Sequence, residues 1–432
     1  MRIAHFSDLH YGSRTLVEAD RCFGAAIDRA AALGVAAAVI SGDATDHALD
    51  LHAPAARRLV AQVRRLADHC PVLLLQGTYS HEPPGTLGIF RALGGRHPIH
   101  VAEGIGQAVL TRGRGWRRSP DWRFEVLPSD AVALFSCLPT VNKAELAAAV
   151  GAVDAAQAVG EQLERLLAGW APTHRLARER GLPTIGVSHG TVFGCVSEHG
   201  VPMAGFDHEF TTGALFAAEA QAFMLGHIHR HQAWSRQGDR GEQLIAYPGS
   251  IGRFHYGEEG EKGFLVWEVG ADDARCTLEA TLARRTIDIV FEGRPDLDVL
   301  RDAIARQDVT GASVRVRWTV ADEDRGAVDR EAIQRMLAGA AEAKLEGRIV
   351  PVVRTRAAGI SQLPRLEDKL RAWAKVADVR PEPLLACMAA LDHEQPEVIA
   401  ARLIGSNTDS TPSTHHVLPE RLSEPMGWTP PP

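Results

Sequence analysis

Five runs of four residues are apolar or small at nearly every position: Ile3-Ala4-His5-Phe6, Ala37-Ala38-Val39-Ile40, Val72-Leu73-Leu74-Leu75, Thr184-Ile185-Gly186-Val187 and Ala222-Phe223-Met224-Leu225. Short continuous runs of this kind, bounded by polar loops, predict strands buried on both faces. Between them, residues 18–33 and 53–67 carry apolar positions at helical spacing. Residues 143–180, rich in Ala, Leu, Glu and Arg, predict one or two helices ahead of the Thr184 strand. The alternation predicts an α/β layered sheet over residues 1–270. Each run passes directly into a polar loop, at the strand end where open α/β sheets place their ligands.

After residue 270 the pattern changes. Residues 271–285 read as a linker and 286–350 as a smaller α+β module. In that module residues 286–291 and 314–318 alternate like half-exposed strands, and 296–306 and 329–342 read as helices. Residues 351–404 predict a helical end, punctuated by Pro381, Pro383 and Pro396. Residues 405–432 turn to Ser, Thr, Pro, Gly and Asn, a composition that predicts a disordered tail.

Length adds that 432 residues suit two or three domains at ~150 residues each. Hydrophobic residues at 45% and charged residues at 23% exclude wholesale disorder. No apolar run approaches the ~18 residues of a spanning helix, and Met1-Arg2-Ile3 leads straight into a strand rather than a signal peptide. The six cysteines show no C-x-x-C spacing, which argues against a disulfide framework and for a cytoplasmic protein. A net charge of −7 excludes a uniformly basic coat but not a local basic track.

The strand-end loops concentrate metal-capable side chains. They are Asp8-Leu9-His10, Gly42-Asp43, residues 77–82 with His81, Ser188-His189-Gly190 and Gly226-His227-Ile228-His229. Two carboxylates and five histidines converging on one rim point to divalent cations, since imidazole and carboxylate without thiolate suit Mn2+, Fe2+ or Zn2+. Asp43, on a central loop, is placed to bridge two ions. Two such ions can hold a phosphodiester, activate water and stabilise a leaving oxygen.

This ordered set resembles the calcineurin-like metallophosphoesterases. A second block, Tyr247-Pro248-Gly249-Ser250-Ile251 followed by residues 257–264 (GEEGEKGF), is similar to the SbcD-type DNA-repair exonucleases. The resemblance covers roughly residues 1–268. It implies a layered β-sandwich flanked by helices, with a capping module. It also implies a two-metal nuclease with 3′–5′ exonuclease or single-strand endonuclease activity, most often with Mn2+. Carried over by position, Asp8, His10, Asp43 and His229 would bind one ion, and Asp43, His189 and His227 the other. His81 would contact the scissile phosphate and protonate the leaving oxygen, a role suited to imidazole. The implied partners are DNA, an SbcC-like coiled-coil ATPase and a second copy of the chain, with no membrane, in a nucleoid-associated cytoplasmic setting.

One departure stands in the 77–82 loop, which lacks the Asn that precedes the family histidine. The hydroxyl of Ser80 or Thr78, or a water, would take its place. Elsewhere, arginine clusters at 57–65, 112–118 and 175–180 are candidate nucleic-acid contacts, with Arg114, Trp116 and Arg117 the selected substrate-binding residues. Two further readings share the metal core: a phosphatase or phosphodiesterase on a small or protein-bound phosphate, and a weakly active nucleic-acid-binding scaffold subunit.

Overall fold

The computed structural model describes residues 1–50, 52–140, 159–201, 209–238, 241–350 and 359–405. The start of the helix predicted at 143–180, and the tail beyond 405, lie outside the described residues. Two units are distinguished, Met1–Val350 and Pro351–Pro432.

The first unit is a mixed α/β structure. Its opening strands are β1 (Arg2–Phe6), β2 (Ala37–Ile40), β3 (Val72–Leu75), β4 (Ile99–Ala102), β5 (Gly106–Thr111), β6 (Trp116–Arg118) and β7 (Ala131–Leu138). There follow β8 (Thr184–His189), β9 (Thr191–Val192), β10 (Glu209–Phe210), β11 (Ala222–Gly226), β12 (Gln232–Gly238) and β13 (Gly241–Tyr247). The last are β14 (Gly263–Val269), β15 (Ala274–Ala280), β16 (Thr286–Glu292), β17 (Ser313–Ala321) and β18 (Glu342–Val350). A six-stranded sheet has the order β15-β14-β1-β2-β3-β4, and a seven-stranded sheet the order β12-β13-β11-β8-β7-β5-β6.

The two sheets pack face to face. Ile3, Val39, Leu73 and Leu75 of one meet Phe135, Ile185, Val187 and Met224 of the other in a single buried cluster, closed by Trp267. The outer face of the six-stranded sheet is covered by the helices Leu16–Ala32 and Pro54–Ala67. The first buries Ala19, Cys22, Phe23, Ala26, Ile27 and Ala30, the i, i+3, i+4 stripe that holds a helix on a sheet. The second opens on Pro54, whose missing N–H costs nothing at a helix start. The helix Val159–Glu179 covers the outer face of the seven-stranded sheet through Leu163, Leu166, Leu167 and Trp170. Because the inner strands are buried on both faces, their sequences lack alternation. This is why they read as continuous apolar runs.

One boundary is corrected. Residues 271–285, read as a linker, contain β15, paired antiparallel with β14 from Gly263↔Ala280 to Val269↔Ala274. Its burial is mixed, so its sequence carries no clear period.

Residues 286–350 form a parallel sheet, β16-β17-β18, with the helices Leu297–Gln307 and Arg330–Met336 against one face. In β17, Val314, Val316 and Trp318 enter that small core, while the alternate residues Ser313, Arg315 and Arg317 turn to the opposite side. The second helix ends at Met336, short of the predicted 342. Residues from Glu342 form β18, which buries too little for its pattern to register as a strand. In the second unit the helices Leu366–Ala377, Pro381–His393 and Pro396–Gly405 follow one another, and no described helix is long and apolar enough to cross a membrane.

Candidate metal centre

β1, β2 and β3 run parallel in one sheet, and β8 and β11 run parallel in the other. The loops leaving their C-terminal ends therefore meet at one rim, and these loops, with the last residue of β8, hold every Asp and His of the predicted metal set. The parallel ladder continues into the first two loops: Asp8 N–H donates to Gly42 O (3.1 Å), His10 N–H to Asp43 O (3.0 Å) and Tyr11 N–H to Ala44 O (3.0 Å). Asp8, His10, Asp43 and His227 have φ values of 50°, 45°, 50° and 103°. Left-handed backbone at non-glycine residues is costly and collects where function requires it. Gly77 is demanded by close approach, since a Cβ there would lie 2.2 Å from Asp43 Oδ1. At Gly226 a Cβ would lie 2.1 Å from Ser41 O.

Two donor sets form. In the first, His10 Nε2 and His229 Nε2 are 2.9 Å apart, and they lie 3.9 and 3.8 Å from Asp8 Oδ1. The Asp8 carboxylate also accepts the His227 N–H (3.2 and 3.1 Å) and the Ser7 hydroxyl (2.5 Å). In the second set, Asp43 Oδ2 is 3.3 Å from His189 Nε2, and a donor atom of His227 lies within 4.8 Å of both residues' donor atoms. Donor atoms 3–4 Å apart match ligands on one divalent ion, whose N and O bonds run ~2.0–2.2 Å.

Tautomers fit the same purpose. His189 Nδ1 faces Ser41 O at 2.8 Å; a carbonyl only accepts, so the ring proton sits there and Nε2 presents its lone pair. His10 Nδ1 and His229 Nδ1 are buried without a hydrogen-bond partner. Burial holds His10 and His227 down at about 4 and pushes Asp8 up to about 6. Burial alone would raise Asp43, but His189, His10 and His81 hold it well below the usual carboxylate range. His189 moves the other way, because the charge of Asp43 overrides its burial and lifts it to about 9. Asp43 is thus a carboxylate surrounded by imidazoles, and a cation would take over the role that a shared proton plays between Asp43 and His189.

His81 stands over this second set, with Nε2 4.0 Å from Asp43 Oδ2 and its side chain 31% exposed. Its Nδ1 donates to Asp46 O at 2.6 Å, leaving Nε2 as the acid–base end. The Asp46 carboxylate lies 3.8 Å from His10 Nδ1. Ser80 does not join the set. It is exposed, and the hydroxyl in the centre is that of Thr78, 3.3 Å from Asp43 Oδ2 and 3.2 Å from His189 Nε2. The cause is the turn itself, in which His81 and Glu82 N–H both return to Thr78 O. Buried Glu82, whose carboxylate accepts Gly77 N–H and Ala44 N–H at 2.6 Å each, ties this loop to the Asp43 loop.

The predicted substrate contacts lie away from these loops. Trp116 Nε1 donates to Pro98 O, and the ring packs on Phe135. Arg114 approaches His97, and Arg117 pairs with Asp130. Pro98 precedes β4, whose first residue pairs with the first residue of β3. These side chains therefore sit at the opposite strand end from the metal loops, a strand length of ~13 Å away. The other arginine clusters are largely tied internally: Arg58 to Asp20, Arg65 to Asp28, Arg175 and Arg178 to Glu219, and Arg180 to loop carbonyls.

Basic groups beside the centre come from residues far apart in sequence. A cleft of about 1210 Å³ reaches from Asp46 and residues 253–257 to the polar side of β16–β18, lined by Arg14, Arg253, Arg284, Arg315, Arg317 and Lys344. Asp288 accepts from both Arg315 and Arg317, and Arg315 also covers the ring of Tyr256.

No family model and no curated protein matches the chain. Among solved structures it is similar to a dimetal phosphatase from Danio rerio, at 11% identity and a TM-score of 0.37, over 64% of this chain and 98% of that one.

Proposed function

We propose that this chain is a two-metal phosphodiesterase that acts on DNA, as a 3′–5′ exonuclease, a single-strand endonuclease or both. The observation that carries the reading is the pair of adjoining donor sets, Asp8–His10–His229 and Asp43–His189–His227, with His81 above the second. Asp8, His10 and His229 would hold one ion, with Asp43 shared, and Asp43, His189, His227 and the Thr78 hydroxyl the other. Divalent ions there supply Lewis acidity toward a phosphoryl oxygen and acidify water. Mn2+ suits the imidazole and carboxylate donors, as do Fe2+ and Zn2+.

The chain's own residues do the rest. His81, oriented by Asp46 O, offers Nε2 to the scissile phosphate and, when protonated, gives its proton to the departing oxygen. Buried walls around Asp8 and Asp43 exclude bulk water and strengthen every charge interaction at the rim. Of the cleft's basic side chains, Arg315, Arg317 and Lys344 pair with Asp288 and Glu346, so its support for a polyanionic strand rests chiefly on Arg14, Arg253 and Arg284, since phosphate contacts position a strand without reading its sequence. The exposed apolar residues of the last helices, among them Leu366, Val376 and Leu391, support docking of an SbcC-like coiled-coil ATPase. A second copy of the chain completes the proposed assembly.

The test is Mn2+-dependent degradation of end-labelled linear and circular single-stranded DNA by the wild type, His81→Ala and Asp43→Ala, with p-nitrophenyl phosphate in parallel. Cleavage of DNA that both substitutions abolish is the expected result. Hydrolysis of the small ester alone would replace the nuclease with a phosphatase. Two bound ions without turnover of either substrate would leave the scaffold reading in its place.

A further inference from the structure

The block from Tyr247 to Phe264 lines one side of the first donor set, and its centre is an ion pair sealed from solvent. Lys262 and Glu258 have fully buried side chains, with Nζ 2.5 Å from Oε2. The ammonium faces three oxygens: Glu258 Oε2 as its ion-pair partner, the Ser250 hydroxyl, to which it donates at 3.0 Å, and the main-chain carbonyl of His229, to which it donates at 2.7 Å. The other oxygen of Glu258 accepts Phe254 N–H (2.9 Å) and His255 N–H (2.6 Å). Oε1 is thereby held by the turn, and Oε2 faces the charge of Lys262. The donor atoms of His229, His255 and Glu258 lie close enough to hold an ion, and the Lys262 ammonium already supplies a positive charge beside that carboxylate.

The pair joins two segments that face the first donor set. One is the ligand loop itself, gripped at His229 O, to which Ser250 N–H also donates at 3.3 Å. The other is the 254–255 turn, whose Phe254 ring lies against His10 (centroids 5.6 Å apart) and whose His255 ring stacks on His229 (6.2 Å, 7°). Burying a charged pair is expensive, and a pair of apolar residues would often serve stability as well or better. What apolar residues cannot supply is a donor to the carbonyl of His229.

We propose that Lys262 is a positioning residue for the metal centre, fixing the His229 backbone and, through Glu258, the Phe254–His255 turn so that His229 Nε2 stays aimed at the ion shared with Asp8 and His10. This rests on the reading of His229 as a ligand. It predicts a defect greatest at the first ion site, because among the described residues no hydrogen bond or ion pair links Lys262 or Glu258 to Asp43, His189 or His227.

The experiment is calorimetric titration of the full chain with Mn2+ alone. Lys262→Met by itself would strand a buried carboxylate, so the main variant is Lys262→Met with Glu258→Gln, which removes both charges and keeps an acceptor for the turn. His229→Ala marks which binding class belongs to the first set. The expected result is that this class weakens at least tenfold in the double variant, while the other stays within twofold and the melting temperature moves little. Equal affinities in the double variant and the wild type would overturn the proposal, as would a uniform loss at both classes with a lowered melting temperature. A wild type that binds no Mn2+ would instead overturn the reading of His229 as a ligand, and the proposal with it.

Discussion

Backbone cost and side-chain reach meet at the same few residues. Positive φ at Asp8, His10, Asp43 and His227 costs on the order of 1–3 kcal/mol each, so the surrounding hydrogen bonds must hold these residues in place. Gly77 is part of that restraint. Gly77→Ala would drive a methyl into Asp43, and we expect loss of Mn2+ binding at the second set by calorimetry, with a melting temperature lowered by several degrees. Thr78 and Ser80 give a sharper contrast. Thr78→Val should weaken the Asp43 set about tenfold, the scale of one lost ligand-sphere contact, whereas Ser80→Ala should leave it unchanged. Equal effects of the two substitutions would show that the hydroxyl at 78 contributes nothing. The residue types of the metal set were legible from sequence because five apolar runs each ended in a His- or Asp-bearing loop. Which hydroxyl stands beside Asp43 was not, because that depends on the path of a four-residue turn. Lys262 and Glu258 were visible only as part of a motif, without a role.

At the level of elements, the short apolar runs of β1, β2, β3, β8 and β11 and the alternation of β16 and β17 were legible, whereas β15 and β18, mixed or slight in burial, were not. The helix Val159–Glu179 carries a further consequence. Its His174 is buried against the seven-stranded sheet, with Nδ1 on Ala218 O (2.6 Å) and Nε2 on Ser136 Oγ (2.8 Å). Burial lowers it from 6.5 to about 4. Between those values the unfolded chain takes up a proton that the folded chain refuses, so the stability present above pH 6.5 is lost as the pH falls toward 4. The loss reaches ~3 kcal/mol for this group. Urea unfolding at pH 7 and pH 4.5 should show a smaller difference between the two pH values in His174→Gln than in the wild type. An unchanged difference would place the acid sensitivity elsewhere. The arginine clusters mislead for a related reason: a cluster along the chain does not say which end of a sheet it will occupy. The 112–118 group lies at the wrong one.

Across the whole first unit, the cleft is assembled from Arg14, Arg253, Arg315 and Arg317, residues up to three hundred positions apart, and no local pattern could reveal it. If single-stranded DNA runs through it, each phosphate contact adds about 0.7 to the slope of log affinity against log salt. Arg317→Ala should lower that slope by about one contact's worth and weaken binding without regard to sequence. An unaltered slope would remove β17 from the track.

The centre also has a history within each molecule. Asp8 and Asp43 come from the six-stranded sheet, while His189, His227 and His229 come from the seven-stranded one. During synthesis the second set lacks a ligand until His227 has emerged and the first until His229 has, and neither is assembled until the two sheets have closed on each other. On the proposed reading, hydrolytic capacity would be acquired only late in folding. An ion seated between these ligands would fasten the two sheets together like a rivet.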